Sequence, residues 1–453
     1  MKPDTIVALA TGAGRAGVAV IRLSGPAAGA TLQALTARDL PKPRVATREA
    51  FCDPRSGVSL DDGIALWFPG PRSFTGEDVA ELQIHGGPAV IAAVIDACLS
   101  QPSVRVAEPG EYTRRAFENG KLDLAEAEGL ADLVDAETEG QRRQALRQRR
   151  GALSSVYEDW RGRLIEAAAL IEAEIDFPDE DLPGALAQRA GPILQSLAAD
   201  MASHLDDAHR GERIRDGFRI AIIGPPNAGK SSLLNALAQR EAAIVSDIPG
   251  TTRDVVEVRL VLAGYPVWIA DTAGLREAAD AIEAEGVRRA LARAEEADLR
   301  IAVIDGSEDS FPALRDLLKP GVDWVVINKA DLPAGKASDL AAAAAVELDA
   351  CLYRLSLSTP AADAVTGIES ELAGEVFDAL SREEAPVLTR ARHRRLVDEA
   401  RSALLRAILA LDRGAELAAE DVRVAADQIG RLTGRIDVED LLDEIFSSFC
   451  IGK

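Results

Sequence analysis

The chain has 453 residues, more than one hydrophobic core usually organises, so two to four domains are expected. Apolar residues make up 47% and aromatics only 4%, so Ala, Leu, Ile and Val must build the cores, which leans helical. A net charge of −23 excludes a chain that grips nucleic acid through its overall field, while leaving room for a local basic patch. Residues 1–118 read as a mixed α/β domain: Val18–Leu23, Gly63–Phe68 and Val79–Ile84 have strand character, and Pro88–Leu99 carries apolar residues at helical spacing. Residues 119–215 turn to an Ala/Leu/Glu/Arg texture with few Gly or Pro, the composition of a helical bundle, broken near Asp176-Phe177-Pro178 and Pro183-Gly184. Residues 216–378 alternate apolar runs (Arg219–Ile223, Val267–Ala270, Ile301–Ile304, Trp324–Ile327, Leu352–Leu357) with helical segments, the rhythm of a parallel, doubly wound sheet. Residues 379–453 return to the helical texture, so the α/β domain reads as an insertion into a discontinuous helical one.

No stretch approaches about 20 apolar residues, so no membrane span is expected. The N-terminus lacks a basic region followed by an apolar run, which argues against a signal peptide. Cys52, Cys98, Cys351 and Cys450 are scattered without paired spacing, which suits a reducing cytoplasm better than disulfides or a zinc site.

Between the apolar run Ile220–Ile223 and the helical Ser232–Ala238 lies Gly224-Pro225-Pro226-Asn227-Ala228-Gly229-Lys230-Ser231, a phosphate-loop pattern. Its glycines let the backbone wrap the phosphates, Lys230 reaches the β- and γ-phosphates, and Ser231 ligates Mg²⁺. Asp271-Thr272-Ala273-Gly274 follows another strand; its carboxylate reaches Mg²⁺ through water and the Gly274 amide meets the γ-phosphate. Asn328-Lys329-Ala330-Asp331 follows a third, and the Asp331 carboxylate accepts two N–H bonds that guanine offers and adenine does not. The substrate is therefore read as GTP.

These motifs resemble the translation-factor-related branch of Ras-like GTPases. That branch usually carries Ser-Ala-Lys as its fifth motif; Ser356-Leu357-Ser358 stands there instead, losing side-chain packing on guanine and keeping a backbone amide for its carbonyl. Ras orients the attacking water with a glutamine after Asp-x-x-Gly, where this chain has Leu275, which cannot hydrogen-bond water. The segment Ser246-Asp247-Ile248-Pro249-Gly250-Thr251-Thr252-Arg253-Asp254 offers hydroxyls and carbonyls in compensation: Thr252 as second Mg²⁺ ligand, Thr251 and the loop carbonyls as a cage for a monovalent cation.

Asn227, Gly250-Thr251-Thr252-Arg253-Asp254, Asp271 to Arg276 and the terminal Phe449-Cys450-Ile451-Gly452-Lys453 together resemble the MnmE (TrmE) family of tRNA-modification GTPases. Asp4-Thr5-Ile6-Val7-Ala8, Phe74-Thr75-Gly76-Glu77-Asp78 and Lys121-Leu122-Asp123-Leu124-Ala125 extend the likeness over the whole chain. The resemblance implies a K⁺ ion in place of an arginine finger, held by Asn227, Ser246, Ile248 and Thr251, and promoting face-to-face pairing of two GTPase domains. It assigns Glu283 to the attacking water, giving Glu283, Lys230 and Thr251 as the catalytic set; the residues alone do not distinguish Glu283 from Glu277 and Glu285. The remaining nucleotide contacts are expected from Ala228, Gly229 and Ser232, from the segment Ser246–Thr252, and from the motifs above.

The resemblance further implies an N-terminal domain akin to tetrahydrofolate-binding one-carbon transfer proteins, which also forms the homodimer. Its ligands for formyl-tetrahydrofolate or a related folate would be Arg22, Glu81, Lys121 and Lys453, a carboxylate suiting pterin donors and cations the glutamate tail. Cys450 is either directed to the one-carbon site or a small buried hydrophobe. His85, beside Gly86-Gly87, reads as structural. The family's partner is the FAD-dependent MnmG, with which it forms a heterotetramer that places an aminomethyl or carboxymethylaminomethyl group on the wobble uridine of certain tRNAs. Two arginine clusters, at Arg142, Arg143, Arg147, Arg149 and Arg150 and at Arg390, Arg392, Arg394 and Arg395, read as solvated helix faces paired with acids. No RNA-reading motif accompanies them. A GTP-switched ribosome-assembly factor is the alternative from another class, and would need an RNA-binding module beside the GTPase domain; a metabolic folate enzyme would leave the nucleotide motifs idle.

Overall fold

The computed structural model describes residues 4–176, 186–238, 257–271, 294–309, 318–357, 362–381, 387–436, 439–447, 449 and 452. The chain divides into two compact units: Met1–Ala131 with Gln148–Leu197 and Glu399–Lys453, and Asp132–Arg147 with Ala198–Asp398. The architecture joins α/β and α parts, as the sequence reading expects. No helix among the described residues is long and apolar enough to cross a membrane.

The first unit is built on strands β1 (Thr5–Leu9), β2 (Ala16–Ser24), β3 (Thr47–Cys52), β4 (Ser59–Phe68), β5 (Val79–Gly86) and β6 (Val104–Val106). They lie in the order β3-β4-β5-β2-β1-β6, antiparallel except for β1 beside β6. Apolar and polar residues alternate along β2 and β5, so Ile21, Leu23, Leu82 and Ile84 turn to one face. Helices Ala28–Thr36 and Pro88–Leu99 cover that face with Leu32, Leu35, Val94 and Ala97. Cys98 is part of this core, and burial alone pushes its thiol up to about 12, which makes it inert at neutral pH. Ile6, Ala8, Ala107 and Tyr112 form a smaller core beside the sheet. Helix Ala152–Asp176 packs along Ala415–Thr433 through Tyr157, Trp160, Leu164, Val422 and Ala425, and Phe117, Leu124, Leu442, Phe446 and Phe449 form an aromatic cluster. β1 and β3 are strands that the periodicity reading did not single out; Thr5–Leu9 is too short and too uniformly apolar to show alternation.

The second unit carries β7 (Phe218–Ile223), β8 (Glu257–Leu262), β9 (Tyr265–Asp271), β10 (Leu299–Asp305), β11 (Trp324–Asn328) and β12 (Cys351–Arg354), in the order β12-β11-β10-β7-β9-β8. Five strands are parallel, as the rhythm predicts. β8 departs from it, running antiparallel to β9 through a two-residue turn at Ala263-Gly264, both with positive φ (50° and 82°). Every residue of β10 and β11 is buried, because helices cover both faces of a parallel sheet. Helices Lys230–Ala238 and Ala362–Leu380 pack on one face, and Lys336–Glu347 with Ala294, Ala297 and Leu318 on the other. The strand expected over Leu352–Leu357 ends at Arg354, since the chain then turns into a loop at the sheet's carboxyl edge.

An ionic network ties the first unit's loops together. Arg105 pairs with Asp4 and Glu111 at 2.5 Å each, and Arg115 pairs with Asp4 at 2.7 Å, Glu111 at 2.9 Å and Glu77 at 3.2 Å. Burial pushes the Glu111 carboxyl up, but the hydrogen bonds from Arg105, the Glu108 amide and Arg115 outweigh it and hold the group below the ordinary value. A carboxylate depressed on folding stabilises above its unfolded pKa, and that stabilisation is lost as pH falls through its folded one. Wild-type stability should therefore drop between about pH 5 and pH 3. Glu111→Gln should lose about 1–2 kcal/mol at pH 7 and show a flatter acid dependence in denaturant titrations; an unchanged slope would remove Glu111 from the acid-labile set.

Candidate functional site

The nucleotide residues collect at the carboxyl edge of the second unit's sheet, where the loops of a doubly wound sheet converge. After β7 the chain enters the phosphate loop, with Asn227 in a left-handed conformation (φ 63°), and helix Lys230–Ala238 starts directly behind it. The helix N-terminus aims amides and a partial positive charge into the loop. The Lys230 ammonium is buried and donates to the carbonyls of Gly224 (3.0 Å) and Pro225 (2.9 Å). Burial lowers its pKa against the opposing pull of Asp271, so this cation is one that an anionic ligand would stabilise.

Ser231 Oγ donates to Asp271 Oδ2 at 2.6 Å, joining the phosphate loop to the end of β9. Asp271 is 3% exposed, and its Oδ1 has no hydrogen-bond partner among the described residues. A hydroxyl and a buried carboxylate with an unused oxygen side by side are hard oxygen ligands of the kind Mg²⁺ takes, directly or through water. The pair fits that ion.

Asn328, at the end of β11, works in two directions. Its Nδ2 donates to the Ala228 carbonyl at 2.8 Å, and its Oδ1 accepts the Leu357 amide at 3.1 Å. The phosphate loop and the Ser356-Leu357 loop are thus held by one side chain. Gly229 permits this: at φ 105° it is already in a region that side chains avoid, and a Cβ there would lie 2.1 Å from Asn328 Nδ2. Lys329, also left-handed (φ 58°), ion-pairs with Asp305, whose Oδ1 accepts the Ser307 amide at 3.0 Å and hydroxyl at 2.6 Å. Burial raises the Asp305 carboxyl, and the Lys329 and Ser307 bonds more than reverse it. The Ala330 amide donates to the Leu355 carbonyl at 3.0 Å, completing the frame that presents the exposed Asp331.

Asp305 and Ser307 were not among the residues expected from sequence. Asp305-Gly306-Ser307 directly after a fully buried strand was the available signal. Ser246, Asp247, Ile248, Pro249, Gly250, Thr251, Thr252, Thr272, Ala273, Gly274, Glu283 and Ser358 lie outside the described residues.

In the first unit, Arg22 on β2 and Glu81 on β5 are cross-strand partners and form an ion pair at 2.9 Å. The guanidinium lies 5.9 Å from the Phe74 ring centroid and 5.7 Å from that of Tyr112, whose hydroxyl donates to the Arg22 carbonyl at 2.6 Å. Arg22 Nη1 lies 3.5 Å from the Gly452 carbonyl, bringing the tail to the same place. Lys121 is exposed, and its stem lies against Gly76 in the loop that carries Phe74. Of the expected folate set, Arg22 and Glu81 are in direct contact; Cys450 and Lys453 lie outside the described residues. His85 is exposed near the end of β5 and hydrogen-bonds Asp61 on the neighbouring β4 through Nδ1 at 2.8 Å, a structural pairing.

Both arginine clusters contain acid pairs. Arg142 binds Glu139 at 2.7 Å, Arg390 binds Asp132 at 2.8 Å, and Arg394 binds Asp207 at 2.6 Å and Glu212 at 3.4 Å.

Residues 5–121 match the family description "GTP-binding protein TrmE N-terminus", and residues 124–450 match "MnmE helical domain". The tRNA modification GTPase MnmE of Parvibaculum lavamentivorans is 56% identical over 452 residues, covering 99% of this chain and 100% of that protein. The protein of the same name from Maricaulis maris is 57% identical over 451 residues, covering 99% of each. With nearly every residue aligned to such relatives, the chain belongs to the MnmE family of tRNA modification GTPases.

Proposed function

We propose that this protein is a potassium-stimulated, magnesium-dependent GTPase of the cytoplasm that works as a homodimer. With the FAD-dependent protein MnmG, as a heterotetramer, it modifies the wobble uridine of certain tRNAs, using a tetrahydrofolate one-carbon donor to add an aminomethyl or carboxymethylaminomethyl group. Residues 1–118 serve as the folate and dimerisation domain, 119–215 and 379–453 as the helical domain, and 216–378 as the inserted GTPase domain. The observation that carries the GTPase reading is the Ser231–Asp271 contact at 2.6 Å beside a buried lysine, framed by Asn328.

Each residue then has a defined task. The phosphate-loop amides and Lys230 hold the β- and γ-phosphates; Ser231 and Thr252 would ligate a magnesium ion, with Asp271 beside Ser231, and the ion would supply charge that offsets the phosphates. Asn227, Ser246, Ile248 and Thr251 provide oxygens for potassium, which supplies at the phosphates the charge that an arginine finger supplies elsewhere. Glu283 accepts a hydrogen bond from the attacking water or from a water behind it, a role that Leu275 cannot take. Asp331 selects guanine. Arg22, Glu81, Lys121 and Lys453 bind the folate, and Cys450 lies toward its one-carbon unit.

Three measurements test this reading. Replacing K⁺ by Na⁺ should slow GTP hydrolysis by roughly two orders of magnitude, the scale of losing one preorganised charge in phosphoryl transfer; equal rates in the two salts would exclude the cation cage. Glu283→Ala should cut turnover by about 10²- to 10⁴-fold with GTP affinity unchanged, and a loss of affinity instead would make the residue structural. Asp331→Asn should move preference from guanosine to xanthosine nucleotides, since an amide complements the xanthine edge. Unaltered preference would undo the base assignment.

A further inference from the structure

The β8–β9 hairpin stands between the two segments to which phosphate contacts are assigned: β8 begins shortly after Thr252, and β9 ends at Asp271. Its far end is clasped by residues 137–141. Gly264 in the turn accepts a hydrogen bond from the Gly140 amide at 2.9 Å. Only glycine fits at position 140, because a Cβ would lie 2.4 Å from Cδ1 of the Tyr265 ring. The Glu137 carboxylate pairs with Arg259 on β8, and that guanidinium lies 5.2 Å from the Trp268 ring centroid on β9. Gln141 holds the clasp to the start of the sheet domain, its Nε2 donating to the Arg215 carbonyl at 2.8 Å while its Oε1 accepts the Glu137 and Thr138 amides.

These contacts surround a polar cavity of about 290 Å³, lined by Asp132, Asp135, Glu137, Gln144, Arg215 and Asp216 among others. An interlocked apolar interface would resist any shift. Here, apart from the close approach of Gly140 to the Tyr265 ring, the contact rests on a few polar bonds beside space for water, so loosening those bonds exchanges protein partners for solvent at small net cost. The hairpin itself is stiff. β9 is laddered on both sides, to β7 and β8, and its seven residues span about 20 Å from Asp271 to the clasped turn.

We infer that residues 137–141 sense the bound nucleotide through this hairpin, with Glu137 and Gly140 as positioning residues that favour one placement of β8–β9. The inference rests on the reading that GTP and its magnesium ion occupy the site at Ser231 and Asp271. A shift of Asp271 between nucleotide states carries along β9 to Gly264, where it makes or loosens the Gly140 and Glu137 contacts. Coupling of this kind is reciprocal: if the nucleotide alters the clasp, weakening the clasp alters the preference between nucleotides by the same factor.

The test uses the full-length protein and measures affinities for GDP and for a non-hydrolysable GTP analogue. Glu137→Gln and Gly140→Ala should each change the ratio of the two affinities by about threefold or more, as expected for a half-exposed pair within a coupled element. The double exchange Glu137→Arg with Arg259→Glu should bring the ratio back toward wild type. A ratio unchanged in both single variants, or affinities that fall equally for the two nucleotides, would overturn the inference and leave a merely structural contact. A wild-type protein that binds neither nucleotide would overturn the reading of the site, and the inference with it.

Discussion

The second unit depends on the two hydrogen bonds made by Asn328. A parallel sheet delivers its loops to one edge, but it does not fix their spacing, because each loop leaves from a different strand. Asn328 sets that spacing by spending its donor on the phosphate loop and its acceptor on the Leu357 amide. The phosphate end and the base end of the site are therefore one body, and a nucleotide spanning them meets a preformed distance. The strand beneath supplies the rigidity: β11 is buried along its length and paired in register with β10, whose last residue, Asp305, lies opposite Asn328. Asp305 then anchors Lys329, so the neighbouring residue of the same motif is held from the other side.

A chain with 23 excess negative charges can hold a triphosphate because the charge that matters is local. The helix N-terminus and the buried Lys230 ammonium face the loop at short range, and burial has already removed the competition of water for that lysine. Elsewhere in the unit, acids pair with arginines on exposed helix faces, as at Arg142 with Glu139. Overall charge thus speaks to solubility, and the site obeys its own electrostatics.

The nucleotide edge was legible in sequence because glycine, lysine, serine and aspartate sit at fixed offsets after apolar runs, and backbone geometry admits few alternatives at each. Gly229 is an instance: φ and the Asn328 amide both demand glycine. The parallel strands were legible for a related reason, since burial on both faces yields unbroken apolar runs such as Ile301–Ile304. What escaped was whatever depends on pairing across the chain. β8 is amphipathic and short, and its antiparallel course follows from a turn of two positive-φ residues that composition alone does not announce. Asp305 and Ser307 escaped because their task is to hold Lys329, a tertiary role without a motif of its own. The clasp on the hairpin escaped for the same reason: Gly140 lies within a helical stretch, and the reason for its glycine is the Tyr265 ring far along the chain.

The Arg22–Glu81 pair shows how register creates a site in the other unit. Side chains alternate between the faces of a sheet, so a slip of one residue in β2 would turn Arg22 to the core face and Ile21 and Leu23 away from it. The antiparallel ladder places Arg22 opposite Glu81, and Tyr112 fixes the ladder by bonding the Arg22 carbonyl. Two rings flanking the guanidinium limit its motion, so the pair offers a donor and an acceptor in a constant orientation. Removing either partner would leave the other as an uncompensated, largely buried charge, so the two side chains depend on each other.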